Sequence, residues 1–152
     1  MPAICHEVKS AMTRMLGILV AVTFGVLSLF HWYWALGGRF GSGATVPTVG
    51  ETRAFNPSPL GTVLVATALL LAMLIILGQL GLLGEAIPKW MFRWGTCGIA
   101  LVFLLRAVGE FRLIGFFKRA SDTPFAYWDT WLFSPLCLVI AVIAFALVYT
   151  ET

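Results

Sequence analysis

"TVLVATALLLAMLIILGQLGLL" occupies residues 62–83 and carries no charged side chain. A helix rises about 1.5 Å per residue, so about 20 residues cross the roughly 30 Å hydrocarbon core of a bilayer. Backbone facing lipid must satisfy its hydrogen bonds within its own segment, so a run of this length and apolarity reads as a spanning helix. Three further stretches meet the same requirement, at about 15–36, 90–108 and 127–149. Together they predict an all-α, four-helix transmembrane bundle forming a single multi-pass domain over residues 1–152.

Composition points the same way. Of the 152 residues 60% are hydrophobic and only 11% charged, with a mean hydropathy of +0.94. A soluble domain carries about 25% charged residues, more than twice as many. The net charge of +3 is small and no basic run occurs, so no nucleic-acid partner is expected. Cys5, Cys97 and Cys137 form no C-x-x-C pair, which argues against thiol redox chemistry and for small apolar fillers. The first apolar run has a basic segment before it, as a signal peptide would. It continues into bulky "HWYW" with no small-x-small site, so it is expected to stay as a helix.

All six tryptophans flank the ends of these runs: Trp32 and Trp34, Trp90 and Trp94, Trp128 and Trp131. Indoles favour the headgroup level, so they read as aromatic belts. An even number of spans places both termini on one side. The loops of about 37–61 and 109–126 then share the other side, while "GEAIPK" makes a tight connection between the second and third spans. One face is loop-rich and the other nearly bare, and function concentrates on irregular segments carried by a rigid scaffold. The basic residues conflict over orientation: a simple count favours the loop-rich face as cytoplasmic, whereas the flanks of the first span favour termini inside. Termini on the cytoplasmic side is the expectation adopted.

The candidate site lies at the loop-rich face. "FHWYWALGGRF", residues 30–40, ends the first span and places His31 and Trp34 on one helical side. In "LLRAVGEFR", residues 104–112, Arg106 and Glu110 stack four apart at the end of the third span. A charge inside an apolar run costs several kcal/mol unless it is paired or faces a polar cavity, so Arg106 marks a site by default. "FAYWDTWLFSP" opens the fourth span and sets Asp129 at a similar level. Arg106, Glu110, Asp129 and His31 are therefore expected to converge, either as a lock between the third and fourth helices or as a pocket wall. Pro135 lacks an N–H, so a kink is expected there, with Ser134 satisfying part of the freed backbone.

Several chemistries find no support. "GGRFGSG" lacks the G-K-[ST] ending of a phosphate loop, although Arg39 within it offers a bidentate fork for a phosphate or carboxylate. With only His6 and His31, no facing pairs of haem-ligating histidines can be built in one chain. No metal-ligand spacing occurs either, so no metal and no cofactor is expected. The first span has no embedded acid of the kind a proton-coupled small exporter uses.

The segments "HWYWALGGR", "AFNPSPLG", "FLLRAVGEFRLIGFFKR" and "TPFAYWDTWLFSPLC" resemble an uncharacterised family of small bacterial four-helix integral membrane proteins, a domain-of-unknown-function family. The resemblance covers almost the whole chain. It implies four helices in one domain and a place in the bacterial inner membrane. It carries over no activity, cofactor or catalytic residue.

Three readings follow. In the first, a small amphipathic molecule or lipid headgroup binds between the ends of helices one, three and four. Trp32, Trp34, Tyr127, Trp128 and Trp131 would hold its apolar part, while Arg39 and Arg106 would hold an anionic group. In the second, the chain is an integral-membrane enzyme acting on a lipid or isoprenoid-like substrate, with His31, Glu110 and Asp129 as acid and base candidates. In the third, it is an accessory membrane subunit. Membrane lipids are partners in every case, and "GTCGIA" at residues 95–100 offers a small-residue face for self-association.

Overall fold

The computed structural model describes residues 2–41, 48–49, 52–53, 58–109, 115 and 124–150. Helix α1 spans Pro2–Ala35, α2 spans Pro59–Gln79 and α3 spans Lys89–Val108. The last helix, α4, is α-helical over Pro124–Trp128, makes a π-helical turn over Asp129–Phe133 and continues as α-helix over Ser134–Thr150. Between α1 and α2 lies a short antiparallel ladder in which β1 (Thr48–Val49) pairs with β2 (Thr52–Arg53). Four segments, Ala11–Ala35, Pro59–Gln79, Lys89–Val108 and Phe125–Thr150, are long and apolar enough to cross a membrane.

The four helices run up and down in turn. α1 packs chiefly on α2, and α3 chiefly on α4. Phe24 of α1 is fully buried at the centre, its ring 5.1 Å from that of Phe103 on α3. Around it pack Val20 and Ala21 of α1, Ile76 of α2 and Leu80 just past its end, Ile99 of α3, and Ile140 and Leu147 of α4. The outer surface is equally apolar: Leu29, Leu64, Leu105 and Val142 are all exposed. A helix apolar on every side requires an apolar surround, as a membrane span has for its outward face. Trp90, Trp94, Trp128 and Trp131 stand exposed near the helix ends, where a belt places them.

The helix ends differ from those read in the sequence, for local reasons. α2 begins at Pro59 rather than residue 62, because the Ser58 hydroxyl accepts from the Gly61 N–H at 3.0 Å and Pro59 is preset for the first helical position. It ends before residue 83 in a Schellman motif. Leu82 N donates to Leu77 O at 2.9 Å across Gly81, whose φ is +68°. α1 closes in the same way. Gly38 N donates to Tyr33 O at 2.9 Å over Gly37, so the glycine pair that hinted at a phosphate loop is a helix terminator. α1 also starts at Pro2, well before residue 15.

Small residues set the interhelical approach. Gly95 of α3 sits where a methyl would lie 2.9 Å from Ile75 of α2, so part of the small-residue stretch serves contacts within the chain. At Gly78 an added Cβ would fall within the ring of Phe92, which packs over the α2–α3 connection. Gly78→Val should therefore lower stability by about 1–3 kcal/mol through overpacking. Adding Phe92→Ala should recover part of that loss. Thermal unfolding in micelles measures both, and an unchanged midpoint in Gly78→Val would show that Phe92 has no such seat.

Candidate functional site

Asp129 is the centre of the loop-rich face. It opens the π-helical turn of α4 and is completely buried, an expensive position for a carboxylate. Two donors offset that cost. Arg106, in the last turn of α3, donates from Nη2 to Oδ1 at 2.7 Å. The backbone N–H of Gly115 donates to Oδ2 at 2.8 Å. Both carboxylate oxygens are thus engaged, and one side chain ties together α3, α4 and a residue of their connection. The short charge-assisted geometry makes this a strong pair. Arg106 also lies at the carbonyl end of α3, where a cation is favoured by the helix dipole.

Gly115 cannot be replaced without moving the backbone. Its φ is +88°, and a Cβ there would meet the Val108 carbonyl and lie 2.5 Å from Gly109 Cα. The chain therefore lies flush on the end of α3, which is how its N–H reaches the carboxylate.

His31 is held by its own helix. Its Nδ1 donates to Leu27 O at 2.7 Å, within its own helix, and its ring stands edge-on to Trp34 with centroids 5.0 Å apart. In the neutral ring Nδ1 then carries the proton and Nε2 is left as an acceptor. Trp34 in turn donates from Nε1 to Phe40 O at 2.8 Å, folding the turn after α1 back along the helix. That fold leaves an apolar groove of about 400 Å³ between Phe40 and Val26, Leu29, Phe30 and Tyr33. The groove lies on α1 and its following turn, not among the ends of three helices.

Of the residues singled out in the sequence, Arg106 and Asp129 are brought together, as are His31 and Trp34. Tyr127 and Trp128 are exposed neighbours with ring centroids 5.9 Å apart, and Trp32, Trp131 and Arg39 are also exposed. Glu110 lies outside the described residues. Cys97 and Cys137 are free thiols, half-buried and buried. Among the described residues no group of three or more His, Cys, Asp or Glu could hold a metal ion.

Sequence reasoning missed Gly115 and gave Ser134 a different role. Gly115 sits between apolar residues with no turn signal beside it. Ser134 was expected to satisfy backbone freed by Pro135. Its hydroxyl is instead buried with no hydrogen-bond partner among the described residues, as is that of Thr96 on α3. The proline is accommodated by the π-helical turn before it, in which the Ser134 N–H reaches Asp129 O, rather than through the serine side chain.

The four apolar helices and the ion pair at one face define an integral membrane protein. The chain belongs to the family described as protein of unknown function (DUF3995), whose model matches residues 24–144. That span takes in His31, Arg39, Arg106, Gly115 and Asp129. No curated protein and no solved structure matches the chain.

Removing one member of the clamp strands a charge. Asp129→Ala should therefore cost about 3–5 kcal/mol. The double change Arg106→Met with Asp129→Leu should cost less than that single change, because it strands nothing. Unfolding midpoints of the variants in micelles decide this, and equal losses would mean that the pair is not coupled.

Proposed function

We propose that this protein binds the polar headgroup of an amphipathic molecule at its loop-rich face, where α1 and α3 end and α4 begins. The observation that carries the reading is the state of Arg106. Its side chain is held by a fully buried carboxylate, yet 29% of it remains exposed one turn from the end of a spanning helix. A cation fixed at that level, with Trp32, Tyr127, Trp128 and Trp131 exposed on the same face, matches an amphiphile at both ends. Aromatic rings hold the apolar part, and the part of the guanidinium other than its buried Nη1 meets the oxygens of the headgroup.

Charge narrows the ligand. Asp129 already neutralises Arg106, so the pair presents directed N–H donors rather than a net positive field. Such a site favours a neutral or zwitterionic headgroup with phosphate or carboxylate oxygens, and exposed Arg39 adds a second fork. The clamp also bears on the catalytic alternative. A carboxylate whose two oxygens both accept from fixed donors would have to break the α3–α4 lock to take a substrate proton. Asp129 is therefore better suited to positioning than to base catalysis. With the termini inside, the site would open on the far side of the membrane from the cytoplasm.

The test is lipid retention by the purified protein, read by native mass spectrometry after exposure to vesicles of zwitterionic phospholipid. The informative variant is Arg106→Gln with Asp129→Asn, which removes both charges and keeps hydrogen-bonding groups in place. Adding Arg39→Gln completes it. Retention should fall at least tenfold, equivalent to about 1.4 kcal/mol. Retention equal to that of the unaltered chain would defeat the proposal.

A further inference from the structure

Hydroxyls inside a membrane bundle need partners, because no bulk water reaches them. Most of those described here follow one habit. Thr23, Thr62, Thr67, Thr130 and Thr150 each donate to the carbonyl four residues earlier, at 2.8–3.1 Å. Ser28 crosses instead to Ala66 O on α2, at 2.8 Å. Thr96 of α3 and Ser134 of α4 do neither, although both are completely buried. A third buried donor joins them. Nη1 of Arg106 has no partner among the described residues, while Nη2 of the same guanidinium holds Asp129.

All three lie on α3 and α4, whose packing forms one seam. α3 and α4 are antiparallel neighbours, and the Arg106–Asp129 bond fixes their register. Ser134 lies one π-helical turn further along α4 than Asp129, and Thr96 is ten residues back from Arg106 along α3, about 15 Å deeper. The donors thus step inward from the ion pair, and hydrogen-bonded oxygens bridge such steps at about 2.8 Å per link. Pro135 adds an acceptor at the same place, since it has no N–H to give the carbonyl one turn before it.

We propose that ordered water fills this seam, linking Arg106 Nη1, Ser134 Oγ and Thr96 Oγ1 from the ion pair toward the middle of the membrane. Water is favoured over an ion because Asp129 already balances the guanidinium, so the seam has no net charge for an ion to neutralise. A neutral molecule that both accepts and donates satisfies two hydroxyls, a guanidinium N–H and a freed carbonyl together. The track is blind. Past Thr96 the interior face of α4 presents Ile140, Ala144 and Leu147, all buried and apolar. The seam is a hydrated pocket, not a channel.

The test is water-to-protein magnetisation transfer by solid-state NMR, on the full chain in lipid vesicles. Thr96 and Ser134 should receive water magnetisation several-fold faster than Ile140 or Phe24. Build-up at Thr96 and Ser134 as slow as at Ile140 overturns the proposal. Thr96→Val, close in shape, reads the same question through stability. Loss of a hydrated hydroxyl lowers the unfolding midpoint, whereas loss of a dry, unpaired one raises it, and a raised midpoint likewise overturns the proposal.

Discussion

A carboxylate buried in a hydrocarbon-facing bundle must find positive charge or hydrogen-bond donors, and that constraint organises the loop-rich face. Asp129 draws Arg106 from α3 on one side and the Gly115 N–H on the other. Because most of the contact between the two helices is apolar, greasy contacts alone would let them slide past each other at little cost. The ion pair penalises every register but one. Ser28 bonded to Ala66 plays a smaller version of the same part between α1 and α2. Polar groups are few inside this molecule, and their scarcity is what makes each of them specific.

The spans were legible because the rule behind them is coarse. About 20 residues without charge cannot easily be anything but a membrane helix, and residues 62–83 satisfy it without any knowledge of neighbours. Helix ends depend on finer chemistry. Ser58 and Pro59 hold recognisable start signals, whereas Gly81 ends α2 through a left-handed residue inside an apolar run. No pattern of hydrophobicity reports a left-handed glycine. The π-helical turn at Asp129–Phe133 was equally hidden, since Pro135 announces a disturbance without saying which form it takes.

The site divides in the same way. That Arg106 would need a partner followed from its position in an apolar run, and Asp129 was one of two acids within reach of the argument. That Gly115 would supply the second donor did not follow, because backbone groups leave no mark in a sequence. His31 adds a contact that its polarity alone did not specify: its Nδ1 donates to the Leu27 carbonyl of its own helix.

The π-helical turn has a geometric effect on everything after it. Five residues of α-helix rotate the chain by about 500°, which would leave Ser134 about 140° around the axis from Asp129. Closing the Ser134 N–H onto Asp129 O brings the two positions nearly into line. α4 is thus a screw whose thread slips once. Its outer half can aim Asp129 at the ion pair while its inner half aims Ile140 and Leu147 at the core, with no single helical repeat serving both. The two halves are free to diverge in sequence, provided the slip between them keeps its length.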